Sequence, residues 1–233
     1  GAERDPLGAM VERYKARTVA MNARAIADTL SVSAALTSAG IAFVVMKGVC
    51  QQRLLYGEYF AKPVGDVDIL VGSRDYGRAR AVLETAGFAV ADRCRSLWWR
   101  FFLGEQHMVK AGNPPVTVDL HYRLQQPGSP SPREPSAFIR QYETIEMAGA
   151  RVPVISRMHR PLLSAISIAK ALFNREACGG YVLDFYASVR DMADEERLSL
   201  KLEAERQGLG NTVLLGFRAA SLLFGERFAA GEP

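Results

Sequence analysis

The sequence predicts a mixed α/β fold over residues 1–155, followed by an all-helical region over residues 156–233. Short apolar runs rich in β-branched residues alternate with stretches of helical periodicity in the first part, which is typical of proteins that combine a sheet with helices. From Pro161 onward the pattern is helical, and glycines separate its segments. Four helices are predicted there, over residues 161–174, 180–194, 196–207 and 211–224.

The first predicted elements are a long helix and a buried strand. Apolar residues recur at three- and four-residue steps over residues 10–38, and Gly40 follows as a stop signal. The apolar run 41–46 is rich in β-branched residues, which indicates a strand buried on both faces. A short helix over residues 49–56 and a strand over residues 67–71 come next.

Helices and strands continue to alternate in the prediction for residues 73–155. An apolar stripe that ends at Gly87 predicts a helix over residues 73–87. Residues 126–136 contain four prolines with glycine and serine, and they predict a loop. Further strands are predicted over residues 88–91, 97–102, 105–110, 116–124, 138–148 and 152–155, the third and fourth forming a hairpin.

Composition restricts the class of protein. Hydrophobic residues make up 48% and charged residues 23% of the 233 residues, as in soluble globular proteins. The net charge of +4 suits a small anionic substrate such as a nucleotide, and is too weak to require a nucleic acid. No run approaches the ~18–20 uncharged apolar residues of a membrane span, so no membrane partner is expected. Three widely spaced cysteines, Cys50, Cys94 and Cys178, predict free thiols in a reducing cytoplasm.

The most informative motif is Asp66-Val67-Asp68, which enters an apolar strand. Residues i and i+2 of a strand point to the same face, with Cα atoms roughly 6.5–7 Å apart. Two such carboxylates can bind one divalent cation, and neither is expected on a buried face without one. Asp119 lies in a third acidic strand and is expected to complete the site. We therefore predict Asp66, Asp68 and Asp119 as metal ligands, with two Mg²⁺ ions as the cofactor and Mn²⁺ as the alternative.

A basic–glycine pair, Lys47-Gly48, follows the strand over residues 41–46. Gly48 would let the backbone approach a phosphate closely, and the helix that begins after it would favour an anion. Lys47 could balance the charge of a departing pyrophosphate. Lys62 and Arg53 are weaker candidates for phosphate binding. The pair is not a P-loop, because the pattern Gly-x-x-x-x-Gly-Lys-Ser/Thr is absent.

Four short motifs carry a family resemblance. They are Val-Met-Lys-Gly at residues 45–48, Leu-Tyr-Gly at 55–57, Lys-Pro-Val-Gly-Asp-Val-Asp-Ile-Leu-Val at 62–71 and Val-Asp-Leu-His-Tyr at 118–122. With these motifs the chain resembles a poorly characterised bacterial nucleotidyltransferase family of the DNA polymerase β superfamily. The resemblance covers residues 20–125, and His159 and Asp184 in the helical region add weaker support.

The resemblance implies a fold and an activity. The fold would be a mixed sheet flanked by helices with a C-terminal helical bundle, and the cleft between them would hold nucleotide and acceptor. The activity would be Mg²⁺-dependent transfer of a nucleoside monophosphate from ATP or GTP to a hydroxyl of a small molecule or protein, with release of pyrophosphate. Asp66, Asp68 and Asp119 would be catalytic, and Asp119 could accept the proton of the acceptor.

Two positions depart from the family pattern. Val49 stands where many superfamily members have serine or glycine after the first glycine, so a hydroxyl contact to phosphate is missing. Lys62 stands where this family tends to have arginine, which would bind phosphate through two hydrogen bonds. The three carboxylates are intact, which supports activity.

The histidines leave several roles open. His121 shares a strand face with Asp119 and is predicted to bind nucleotide, although contact with metal or acceptor and a structural role are alternatives. His107 lies on the predicted partner strand and is a second candidate for the same cleft. His159 is expected to cap or pack a helix, and Asp184 is the acidic residue of the helical region with a candidate role.

Two alternative functions follow from other features. A segment that mixes arginines with aromatic residues resembles a single-strand nucleic-acid platform, although a core or interface role is favoured. Its members are Arg93, Arg95, Trp98, Trp99, Arg100, Phe101 and Phe102. The second alternative, suggested by Val49, is a catalytically inactive nucleotide-sensing or partner-binding module on the same scaffold.

Overall fold

The computed structural model describes residues 6–112, 115–225 and 228, and its centre is one seven-stranded mixed sheet. The strand order across the sheet is β3-β4-β5-β2-β1-β7-β6. Strands β2 and β5, and strands β1 and β7, run parallel, and the other neighbours are antiparallel. The strands are β1 (Phe43–Val45), β2 (Asp66–Val71), β3 (Phe88–Val90), β4 (Glu105–Lys110), β5 (Val116–His121), β6 (Tyr142–Met147) and β7 (Ala150–Ile155).

Helices cover both faces of the sheet. The α/β part contributes α1 (Pro6–Ser38), α2 (Val49–Tyr56), α3 (Tyr76–Thr85) and α4 (Ser136–Arg140). A 3-10 turn (Asp92–Cys94) and a π-helical segment (Trp98–Leu103) lie between β3 and β4. The C-terminal region contributes α5 (His159–Phe173), α6 (Gly179–Val189), α7 (Asp194–Arg206) and α8 (Gly210–Phe224). The predicted α/β fold class with C-terminal helices is therefore confirmed.

Strand β2 divides its side chains between two hydrophobic clusters. Val67, Ile69 and Val71 pack with residues of α1 and α3. Leu70 points the other way and packs, with Val44 and Met46 of the neighbouring chain segment, against the C-terminal helices. Because side chains alternate along a strand, the even-numbered positions of β2 face the C-terminal helices. The sheet and the C-terminal helices thus share a hydrophobic core.

Two predicted strands differ from the structure. Residues 97–102, predicted as a strand, form the π-helical segment, because its aromatic side chains lie on the surface and have no sheet partner to pair with. Residues 138–148 begin as the end of α4 and enter β6 only at Tyr142. Aromatic and β-branched residues favour a strand only where their side chains can pack against the neighbouring strands of a half-buried sheet.

Strand β7 ends at Ile155, and α5 begins at His159. His159 is fully buried there, stacks on Phe138 at 4.2 Å and has Ser156 and Glu203 within 3.3 Å of its ring nitrogens. It occupies the packing position expected of it. Among the helices that the structure describes, none is both long and apolar enough to cross a membrane.

We expect two glycine-to-alanine substitutions to change stability in opposite directions. A Cβ on Gly216 of α8 would lie 2.6 Å from Phe185 of α6, so Gly216→Ala should lower the free energy of unfolding by about 1–3 kcal/mol through overpacking. A Cβ on Gly77 of α3 meets nothing within 4 Å, so Gly77→Ala should raise it by roughly 0.5–1 kcal/mol. Chemical denaturation of both variants measures the difference, and equal effects would contradict this packing of α6 on α8.

Candidate active site

The register of three neighbouring strands brings acidic and histidine side chains together. Asp68 of β2 pairs with Asp119 of β5, and Asp119 pairs in turn with His107 of β4. In the next row, His121 of β5 pairs with Glu105 of β4. Directly paired residues share a face of the sheet, and this is the face that carries the C-terminal helices. Asp68, Asp119 and His121 each place a possible ligand atom within 4.8 Å of the others.

The two aspartates of β2 have opposite pKa shifts. Asp66 is solvent-exposed at the start of β2, yet partial desolvation by its surroundings, together with the charges of Asp68 and Asp119, raises its pKa to about 6. Burial also opposes ionisation of Asp68, but Lys47 and, to a smaller extent, His121 hold its pKa at about 2. Asp68 is therefore ionised at neutral pH, and Asp66 gains its charge close to neutrality. A divalent cation would relieve the repulsion between these carboxylates.

Lys47 and Gly48 lie at the end of β1, directly beside this cluster. The backbone N–H of Met46 donates to the carbonyl of Asp68 over 3.0 Å, which sets Lys47 next to β2. Burial would lower the pKa of Lys47, but the charge of Asp68, with smaller contributions from Asp66 and Glu105, raises it above its ordinary value. Lys47 therefore stays protonated among carboxylates.

Gly48 occupies a position that side chains rarely tolerate. Its φ is 75°, and a Cβ would lie 3.4 Å from Val64 and 3.7 Å from the carbonyl oxygen of Asp66. The glycine thus allows the turn from β1 into α2 to pass close to β2. Val49, the first residue of α2, is buried, so its side chain takes part in the core.

His107 and Glu105 extend the cluster beyond the predicted site. His107 Nδ1 is hydrogen-bonded to Asp119 and its Nε2 lies 3.4 Å from Glu105, and these bonds raise the pKa of His107 to about 10. Burial would raise the pKa of Glu105, but the hydrogen bond from His107 and the positive charges nearby lower it. His107 is therefore an imidazolium that positions Asp119, and Trp99 packs at 5.2 Å on its ring.

Sequence reasoning missed Glu105. The signal was present, because Glu105-x-His107 and Asp119-x-His121 alternate in the same way along the two strands of a predicted hairpin. Only the register between the strands shows that the four side chains meet. The basic–aromatic segment, in contrast, lies beside the site, with Trp98, Phe101 and Phe102 exposed.

Lys62 and Arg53, predicted to bind phosphate, have other partners in the structure. The Lys62 ammonium lies 2.6 Å from the carboxylate of Asp184 on α6, and Tyr56 donates its hydroxyl to the same carboxylate. Arg53 donates to the carbonyl of Gly57 at the end of α2. The contacts of Tyr56 and Lys62 with Asp184 connect α2 and the segment before β2 to α6.

The C-terminal helices add positive charge near the carboxylates. Lys170, on the last turn of α5, is among the smaller causes that lower the pKa values of Asp68 and Glu105, and its side chain is exposed. A phosphate bound against β2 would meet positive charge on two sides, from Lys47 and from Lys170.

Comparison with known proteins shows the family of the chain and agrees with its fold. The family model described as uncharacterised nucleotidyltransferase matches residues 5–225. The solution structure of the antibiotic-resistance factor ANT(2'')-Ia is similar with a TM-score of 0.50 and 13% identity over 88% of this chain and 98% of that one, which shows the fold alone. A nucleotidyltransferase-like protein from Paracoccidioides brasiliensis gives a TM-score of 0.45 at 15% identity, over 85% of this chain and 96% of that one, and carries no further argument. No curated protein matches the chain.

We expect Asp184→Asn to lower the free energy of unfolding by about 1–3 kcal/mol, because it leaves Lys62 without its buried counter-charge. Asp191→Asn near the end of the same helix is the control, since Asp191 is 77% exposed and its ion pair should contribute under about 1 kcal/mol. Denaturation curves measure both.

Lys62→Met completes the test. If the Asp184 pair is the main role of Lys62, this variant should lose stability and keep its nucleotide affinity within about twofold. A tenfold loss of affinity at unchanged stability would instead assign Lys62 to the triphosphate.

Proposed function

We propose that this chain, which belongs to the family of uncharacterised nucleotidyltransferases, transfers a nucleoside monophosphate from ATP or GTP to a hydroxyl acceptor in a Mg²⁺-dependent reaction and releases pyrophosphate. The observation that carries the proposal is the side-by-side pairing of Asp68 and Asp119 on β2 and β5, with Asp66 two residues earlier on β2 and Lys47 nearby. A surface that needed only structural stability would not gather carboxylates in this way.

The residues fit a divalent cation. Asp68 and Asp119 provide carboxylate oxygens within 4.8 Å of each other and of a ring nitrogen of His121, whose buried nitrogens make no hydrogen bond within the described residues. Asp66 lies outside this group, two residues earlier on the same face of β2. Two bound Mg²⁺ ions, or Mn²⁺ in their place, would supply positive charge to the attacking and departing oxygens. Asp68 is ionised at neutral pH and can therefore bind such an ion there.

Lys47 and Gly48 suit the departing phosphates. The Gly48 turn lets backbone N–H groups at the start of α2 approach an anion closely, and Lys47 carries a full positive charge beside it. As the bond to the α-phosphorus breaks, negative charge moves to the pyrophosphate, where Lys47 stabilises it.

Asp119 is the group that would receive the proton of the acceptor hydroxyl. His107 holds its Oδ1, so Oδ2 is left to face the acceptor. The acceptor would enter between the sheet and the C-terminal helices. A small molecule or a protein side chain is the acceptor we propose, since the net charge of +4 is modest for a nucleic-acid partner.

An inactive nucleotide-sensing module is the second candidate function. Val49 favours it, because its side chain is buried in the core and offers phosphate no hydroxyl. Such a module would bind nucleotide and release no pyrophosphate.

We expect Asp68→Asn to lower metal-dependent pyrophosphate release by at least about a hundredfold, because it removes a charge that balances both the metal and Lys47. Calorimetric titration of ATP and GTP with and without Mg²⁺, followed by a pyrophosphate assay over a panel of hydroxyl acceptors, measures binding and turnover separately. Asp75→Asn is the control, since Asp75 makes a surface ion pair with Arg78 just after β2. Near-normal turnover in Asp68→Asn would contradict the proposal, and tight binding without release in the wild type would favour the sensing module.

A further inference from the structure

His121 stands apart from the other polar side chains of the cleft. It is 7% exposed, and among the described residues neither of its ring nitrogens makes a hydrogen bond. A buried polar group without a partner costs about 1–3 kcal/mol, so natural proteins rarely keep one without a ligand or a function. Carboxylates of Glu105 and Asp68 lie 3.3 and 3.5 Å from its ring nitrogens, but neither contact is a hydrogen bond, so the ring can accept a further partner.

The atoms around His121 match the surroundings of a metal-bound imidazole. Nε2 lies 3.5 Å from Oδ1 of Asp68, and Asp119 offers a third atom within 4.8 Å. Atoms that bind one ion at about 2.1 Å, with angles of 90–110° between them, lie roughly 3.0–3.5 Å apart. The 3.5 Å distance between Nε2 and Oδ1 of Asp68 is long for a hydrogen bond, and it falls in the range expected for two ligands of one ion.

The other ring nitrogen has the second contact that metal-bound histidines make. Nδ1 lies 3.3 Å from Oε2 of Glu105, the residue that pairs with His121 across β4 and β5. A histidine that binds a metal commonly donates its other N–H to a carboxylate, which selects the tautomer and orients the ring. A small rotation would align this donor with Glu105 and leave the lone pair of Nε2 facing Asp68.

We propose that Nε2 of His121 is a ligand of the ion held by Asp68 and Asp119, that Glu105 orients this imidazole, and that the site consequently prefers a first-row transition-metal ion such as Mn²⁺ to Mg²⁺. The inference rests on the proposed function, because it names the ion at the same site. Mg²⁺ favours an all-oxygen shell, whereas a nitrogen ligand favours transition metals.

His107 is the matched comparison within the cluster. Its Nδ1 is hydrogen-bonded to Asp119, whereas neither ring nitrogen of His121 makes a hydrogen bond within the described residues. The remaining histidine of the chain, His159, is buried between Ser156 and Glu203 in the helical region. Of the three histidines, the geometry therefore selects His121 alone as a ligand.

Pulsed electron paramagnetic resonance of Mn²⁺ added to the metal-free full chain, without nucleotide, tests the proposal. We expect the ¹⁴N modulation of a directly bound imidazole in the wild type and in His159→Gln, and its loss in His121→Gln. The dissociation constant for Mn²⁺ should rise at least about tenfold in His121→Gln, and that for Mg²⁺, measured by competition, should change less.

Wild-type protein labelled with [¹⁵N]histidine provides a readout that needs no variant to fold, since the ¹⁴N modulation should be replaced by a ¹⁵N coupling. Absence of nitrogen coupling in the wild type, unchanged coupling in His121→Gln, or failure to bind Mn²⁺ at millimolar concentration would each overturn the inference. Transfer activity without nitrogen coupling would overturn this inference and leave the proposed function intact. Nitrogen coupling without transfer to any acceptor would support His121 as a metal ligand and contradict the proposed transfer activity.

Discussion

The crowding of negative charge on one face of the sheet is the constraint on which the rest of the site depends. Asp68 and Asp119 pair across β2 and β5, and partial desolvation together with their negative charges raises the pKa of Asp66, at the exposed start of β2, to about 6. Two cationic groups beside these carboxylates offset part of this charge. Lys47 compensates Asp68, and His107 compensates Asp119. An incoming cation would complete the compensation.

The C-terminal helices are part of this arrangement. Leu70, the next residue after Asp68 on the same side of β2, packs into the core that these helices share with the sheet. The ion pair between Lys62 and Asp184 connects the segment before β2 to α6, so the position of Asp66 and the position of the helices are linked. Nucleotide and acceptor would therefore meet between two parts held by one core.

The local features of the site could be predicted from the sequence. Alternation along β2 places Asp66 and Asp68 on one face, and a glycine after Lys47 indicates a turn with an unusual backbone conformation. Most strands were predicted as well. Residues 97–102 were wrongly predicted as a strand, because their aromatic side chains suit a strand and nothing local shows that they lack a sheet partner.

The sequence by itself determined which residue types each strand presents and to which side, since side-chain alternation is a property of the chain within a few residues. Only the tertiary structure decided which of these side chains meet. Glu105 joins His121 because β4 and β5 pair in one particular register, and Lys62 turns to Asp184, 122 residues away, because α6 packs against α2. Strand register and helix docking depend on the whole core, and for that reason no local pattern contains them.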